Sequence, residues 1–239
     1  MKKWLCLMLL CSTGVFGSNA WAGSAREDAV DRLKESTEVI KAIMAAPDNG
    51  IPEEVLENAK CMVVVPNLLK AGFIFGGKHG KGIATCRTAK GWSSPAFVTV
   101  GGGSAGLQIG VQGVDLVMLV MNEQGLQKLL SSKFEITGEG SAAAGPVGRH
   151  ASAGTDWKMN TQILTYSRSK GLFAGLTLEG AVVKQDDDST RAIYNKKVPF
   201  SMTLSGKQAT PQVASEFMRA VSGASQQARL EDPKEGDKR

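Results

Sequence analysis

The sequence predicts an α+β fold: a strongly curved, barrel-like antiparallel sheet with an N-terminal helical arm and flanking helices. Three observations lead there. Glycine supplies 28 of 239 residues, about 12% against roughly 7% in ordinary chains, with no Gly-X-Y period, so it serves turns, bulges and strand packing. From Cys61 onward, short β-branched and aromatic runs alternate with glycine-containing breaks, the pattern of antiparallel hairpins. Ahead of them lies a stretch of helical periodicity. Hydrophobic residues at 42% and charged residues at 21% describe a folded globular chain, not a disordered or polytopic membrane one.

The chain opens with Lys2-Lys3, the apolar run Trp4 to Phe16, then Ala20-Trp21-Ala22. That order of charged, apolar and small residues is a secretory signal over residues 1–22, cleaved near Ala22 and delivering a periplasmic or secreted protein. An uncleaved anchor is the alternative, but the apolar run is about 13 residues against the roughly 20 that span a bilayer. A lipidated cysteine needs a small residue before it, whereas Cys11 follows Leu10. Loss of Lys2 and Lys3 leaves 26 basic residues against 23 acidic ones, a net of +3. That is too mild to imply nucleic acid as a partner.

Residues 23–60 form the helical arm. From Ser24 to Ala46, Ala29, Leu33, Ile40 and Met44 recur at helical spacing, with Arg26, Glu27, Asp28, Asp31, Arg32, Glu35 and Lys41 on other faces. Pro47-Asp48-Asn49-Gly50 stops this helix, and Pro52 starts a second, short one towards Lys60. The first helix packs on the core or lies on lipid. Its polar face carries nearly as many acids as bases, which favours the core.

Residues 61–228 make the α+β domain. The strand-like runs are Met62 to Val65, Gly72 to Phe75, Gly82 to Cys86, Ala96 to Val100, Leu107 to Val111 and Val114 to Met121. Asn122 caps a helix from Glu123 to Leu130. Phe134 to Thr137, Gln162 to Arg168 and Gly171 to Val183 form a second strand-rich block. Asp186-Asp187-Asp188 opens a short helix ending near Tyr194, because acids favour a helix N-terminus. A last helix runs from Pro211 to about Gln227, and residues 229–239 are a charged tail.

Cys61 and Cys86 are the cysteines left after cleavage, in a compartment that permits disulfides. They form either one bridge, stabilising by about 3 kcal/mol through its roughly 25-residue loop, or two buried thiols. Neither has a partner at zinc spacing, and the histidines are His79 and His150, so no metal site or cofactor is expected. Gly102-Gly103-Ser104-Ala105-Gly106 matches the nucleophile elbow of hydrolases, and Gly101, Gly103 and Gly106 match a dinucleotide-binding pattern. Both patterns demand a following helix, and Gly110 and Gly113 continue in a β-like run instead. A serine hydrolase using Ser104 is therefore a remote alternative. More telling are three basic, glycine-flanked segments read as turns: Gly76 to Gly82 with Lys78 and Lys81, Gly145 to His150 with Arg149, and Arg168-Ser169-Lys170-Gly171. Exposed amides beside lysine or arginine hold phosphate oxygens, provided the fold gathers them.

Taken in order, several segments form one series. They are Ala59-Lys60 before a Val-rich strand, Lys70 to Gly77, Gly91-Trp92-Ser93-Ser94-Pro95-Ala96-Phe97, Gln108-Ile109-Gly110, Asp115 to Met121, Gly145 to Arg149, Tyr166 to Gly175, Leu178-Glu179-Gly180 and Tyr194. From about Val55 to Phe200 the chain resembles the SYLF domain family, the Ysc84-type actin-binding or lipid-binding proteins. One departure is Asn195, where a glycine is expected after Tyr194; asparagine tolerates a left-handed turn. The resemblance implies a non-enzymatic domain that binds phospholipid, phosphoinositides in eukaryotic relatives, and in some fungal relatives actin. In a bacterial envelope, anionic phospholipids are the natural substitutes, and actin remains a partner by family analogy only. The resemblance also implies that a helix ahead of the core, here Ser24 to Ala46, assists membrane contact. The expected lipid-binding residues are Lys78, Lys81, Arg149, Arg168 and Lys170. A structural or protein-interaction module of the envelope is the alternative.

Overall fold

The computed structural model describes residues 18–46, 50–72, 75–105, 110–131, 133–136, 142–146, 161–169, 172–174, 178 and 180–231. Helices α1 (Ser18–Met44) and α2 (Glu53–Asn58) lead into strands β1 (Cys61–Gly72), β2 (Phe75–Thr88), β3 (Gly91–Trp92), β4 (Ala96–Ala105) and β5 (Gly110–Val120). After α3 (Glu123–Leu130) come β6 (Lys133–Glu135), β7 (Ala142–Ala144), β8 (Ile163–Ser169), β9 (Leu172–Ala174) and β10 (Val182–Gln185). The chain closes with α4 (Asp187–Tyr194), α5 (Phe200–Leu204), a 3-10 turn at Gln212–Ala214 and α6 (Ser215–Glu231). The expected α+β class holds. The strands order as β6-β10-β4-β2-β1-β5-β8-β7, with β3 beside β2 and β9 beside β8. The result is a curled half-barrel, antiparallel except where β7 pairs parallel to β8.

Strand alternation sorts the core into two layers. Met62, Val64, Ile83, Phe97, Val117, Leu119, Leu164 and Tyr166 meet Leu33, Ile40 and Ile43 of α1, Leu56 of α2 and Phe217 and Val221 of α6. Cys61, Val63, Val65, Leu68, Val98, Val100, Leu116 and Met118 form the opposite layer, closed by Leu129, Phe134, Leu178, Phe200 and Leu204. Burial on both faces is why β1 begins Cys-Met-Val-Val-Val and β5 ends as an unbroken apolar run. The opposed pair Cys61 and Cys86 lies in the second layer, with its sulfurs at bonding distance.

Several boundaries differ from the sequence reading. Met62 to Val65 and Gly72 to Phe75 were expected as separate strands. Instead β1 continues to Gly72 through a bulge between Val65 and Leu68, and Phe75 opens β2. Asn67 carries the bulge at φ +48°, and its N–H donates to Asp115 Oδ1 at 3.1 Å, so a local break in the apolar pattern is absorbed without ending the strand. Of Leu107 to Val111, residues 107–109 lie outside the described residues and β5 begins at Gly110. Gly171 to Val183 divides into β9 and β10, with Gly180 at φ +70° turning the chain into β10. Helix α1 begins at Ser18, ahead of Ser24, and passes through the expected cleavage position.

Other expectations hold. Asn122 Oδ1 accepts from the Gly125 N–H at 3.0 Å, Asp186 caps α4, and Asn195 ends α4 in the left-handed region at φ 56°. Tyr194, buried beside it, donates to the Pro95 carbonyl at 2.7 Å. Burial raises the phenol pKa values of Tyr166 and Tyr194.

Candidate functional site

Of the three expected glycine turns, the one at Gly76 to Gly82 is strand. Gly76 to Gly82 lies inside β2, paired with β4 throughout and with β1 over Gly76 to His79, and Gly80 and Gly82 serve close approach of β1 and not a turn. Lys78 is only 7% exposed and shares its face with Ala84 and Cys86, opposite Lys70 on β1 and Gly102 on β4. Burial pulls the half-buried Lys70 ammonium below its ordinary pKa. Lys81 points to the other face, and its ammonium lies 3.3 Å from Asp186, a carboxylate more than 100 residues away. Arg168 lies in β8 and gives both Nε (3.1 Å) and Nη2 (2.7 Å) to Asp115 Oδ2. Asp115 thus holds Arg168 and the bulge at Asn67 together, a structural arrangement. Arg149 and Lys170 lie outside the described residues.

Asp186 is the hub of the one buried charge cluster among the described residues. It takes the Ser189 N–H at 3.1 Å and the Ser189 hydroxyl at 2.8 Å. Arg32 of α1 reaches it at 3.4 Å and donates to Ser189 Oγ at 3.0 Å. Burial pushes the Asp186 carboxyl up, but the Ser189 hydrogen bonds and the charges of Lys81 and Arg32 outweigh it and hold the group below the usual carboxylate range. Burial draws the Arg32 guanidinium below its ordinary pKa, against the raising effect of Asp186. The cluster pins α1 and α4 to β2. Among the described side chains of α1, Ala29, Leu33, Ile40 and Ile43 turn into the core. Assistance by α1 at a membrane therefore has no apolar side chains to rest on among those buried residues.

Ser104 lies in β4 opposite Gly76, and the next described element is the strand β5, so the described residues form no strand-to-helix elbow there. Gly102 sits where a Cβ would overlap the Gly180 carbonyl, which is a close backbone approach and accounts for that glycine. Among the described residues no group of three or more His, Cys, Asp or Glu side chains is placed to hold a metal ion. No described helix is long and apolar enough to cross a membrane.

What the structure does present is an exposed stretch of sheet on the face that elsewhere carries α1, α2 and α6. Here Leu69 is 47% exposed and Val111 is 76% exposed. The register sets Ala71 against Val111 and Gly77, and Leu69 against Gly113 and His79. All of these positions are exposed. Further along the same face, Lys81 opposes Thr99, Thr99 opposes Lys184 and Lys184 opposes Lys133. The exposed Leu69, Val111, Lys133 and Lys184 were missed at the sequence level, where nothing distinguishes an apolar strand residue at the covered end from one at the bare end.

Residues 101–224 match the family model described as Ysc84, Las17-binding protein actin regulator. The chain belongs to the Ysc84 family. An SH3 domain-containing protein of Schizosaccharomyces pombe is 37% identical over 176 residues, covering 72% of this chain and 41% of the relative. Protein YSC84 of Saccharomyces cerevisiae is 33% identical over 178 residues, 73% of this chain and 38% of the relative. The human SH3 domain-containing YSC84-like protein 1 is 28% identical over 196 residues, 81% of this chain and 56% of the relative. The chain thus spans about two-fifths of the length of the yeast relatives. The matched residues run from within β4 to within α6 and include Val111, Lys133 and Lys184, whereas Leu69 and Lys81 precede them.

Proposed function

We propose that this chain is a non-enzymatic attachment domain for anionic phospholipid surfaces, acting through the bare end of its sheet. One observation carries the reading: Leu69 and Val111 stand exposed on adjacent strands, on the face that bears Lys184 and Lys133. Apolar side chains that can enter an interface, beside cations that meet phosphate, are what a peripheral membrane contact requires. In this reading residues 1–22 are a signal removed near Ala22 and the membrane belongs to a bacterial envelope. The first buried residue described in α1 is Ala29, so cleavage at that point spares every described core contact. The Cys61–Cys86 pairing suits an oxidising compartment of that kind.

The test is flotation with neutral and with anionic vesicles at low and moderate salt, comparing the wild type with Leu69→Ser/Val111→Ser. Binding restricted to anionic vesicles, weakened by salt and by the double substitution, is the expected result. Equal flotation of the two proteins would remove the bare face from the contact.

A second reading is favoured by the relatives: a family described as Las17-binding and actin-regulating suggests a protein-docking module. Cosedimentation of this chain with purified actin filaments, together with failure to float with vesicles, would select it.

A further inference from the structure

At the end of the described strand order the register places Lys133 of β6 directly opposite Lys184 of β10. Both side chains are exposed and share one face. Directly opposed like charges destabilise a strand pair, so the arrangement needs a reason. Lysines do blunt exposed sheet edges, and that accounts for Lys133. It does not account for Lys184, because β10 is an inner strand flanked by β4 and β6. Nor are nearby acids in use: neither lysine forms an ion pair with a described residue. Glu135, two residues along β6, is opposed to Val182. The Asp186 carboxylate is already taken by Lys81, Arg32 and Ser189.

We propose that Lys133 and Lys184 form a phosphoryl-binding site in which one phosphate group, as a mono- or diester, bridges the two ammonium groups. Opposed side chains start about 5 Å apart at Cβ, and each flexible stem can bring a charged donor to a separate phosphate oxygen. A bridging dianion or monoanion turns the repulsion of the empty pair into attraction. A lipid headgroup and a soluble phosphate ester share this chemistry. The headgroup source rests on the attachment reading above, and it would set the lysines in the headgroup layer while Leu69 and Val111 meet the apolar region.

The experiment compares the wild type, Lys133→Gln/Lys184→Gln and Lys133→Arg/Lys184→Arg as full chains. Flotation uses phosphatidylglycerol and phosphatidylcholine vesicles, and residue-resolved NMR titration uses glycerol 3-phosphate. A lysine near an anionic surface supplies a factor of about five, so the double glutamine variant should bind phosphatidylglycerol vesicles roughly 25-fold more weakly. The arginine variant should retain binding. The thermal midpoint should not fall in the glutamine variant, since it loses only a repulsion. If the glutamine variant floats like the wild type, the phosphoryl site is overturned while lipid attachment through Leu69 and Val111 stands. If the wild type floats with neither vesicle, the attachment reading fails. Glycerol 3-phosphate shifts centred on Lys133 and Lys184, and lost in the glutamine variant, would then assign the site to a soluble ester. No such shifts would overturn the site as well.

Discussion

Asp186→Asn isolates what the buried cluster contributes. The substitution keeps the volume and leaves a carbonyl to accept the Ser189 N–H, so most of the helix cap of α4 survives. What disappears is the counter-charge of Arg32, whose side chain is 8% exposed. Breaking a buried pair by removing one partner costs about 3–5 kcal/mol, because the other charge stays desolvated and unpaired. The lower end applies here. Arg32 keeps its bond to Ser189 Oγ, and Lys81, 43% exposed, contributes at most about 1 kcal/mol. The expected loss is about 3 kcal/mol, read by urea denaturation as a midpoint lowered by roughly 1.5 M at a slope near 2 kcal/mol/M. Removing both charges, in Arg32→Met/Asp186→Asn, should restore about half of that loss, since the pair acts as a unit. A loss below about 1 kcal/mol in the single variant would refute the reasoning. So would a double variant as unstable as the two singles added together.

The same carboxylate predicts a pH dependence. Its folded pKa is depressed, so its stabilisation is present above the unfolded value near 4 and is lost as pH falls through the folded pKa; wild type and Asp186→Asn should converge in stability in that acid range and separate above it, as paired denaturation curves would show. Replacing Cys61 and Cys86 by serine should cost about 3 kcal/mol for the 25-residue loop, and mass measurement before and after reduction of the wild type should show a gain of two hydrogen atoms. Gly82→Ala should destabilise severely, because a Cβ there would overlap the Val64 carbonyl oxygen. By contrast, Gly77→Ala meets nothing nearer than 3.9 Å and should be neutral or raise the thermal midpoint slightly, by removing a flexible residue from a strand.

Much of the architecture was legible because it is written locally. The cap at Asn122, the start of α4 at Asp186 and its left-handed end at Asn195 each depend on a few neighbouring residues and their backbone preferences. The apolar runs of β1 and β5 announced strands because both sheet faces are buried. The parallel pairing of β7, the short helix α5 and the continuation of β1 past Pro66 and Asn67 carried no comparable local signature.

The sequence by itself determined the class of fold, most helix positions, the family and the stock of basic residues available for binding an anion. Only the tertiary structure decided which of those cations are free to act. Lys78 is enclosed by strand packing, Lys81 is drawn to Asp186 and Arg168 to Asp115. Lys133 and Lys184, unremarkable in sequence, are brought face to face. The physical reason is that a charge's availability depends on its burial and on its nearest opposite charge, and both are set by strand register between segments tens to a hundred residues apart.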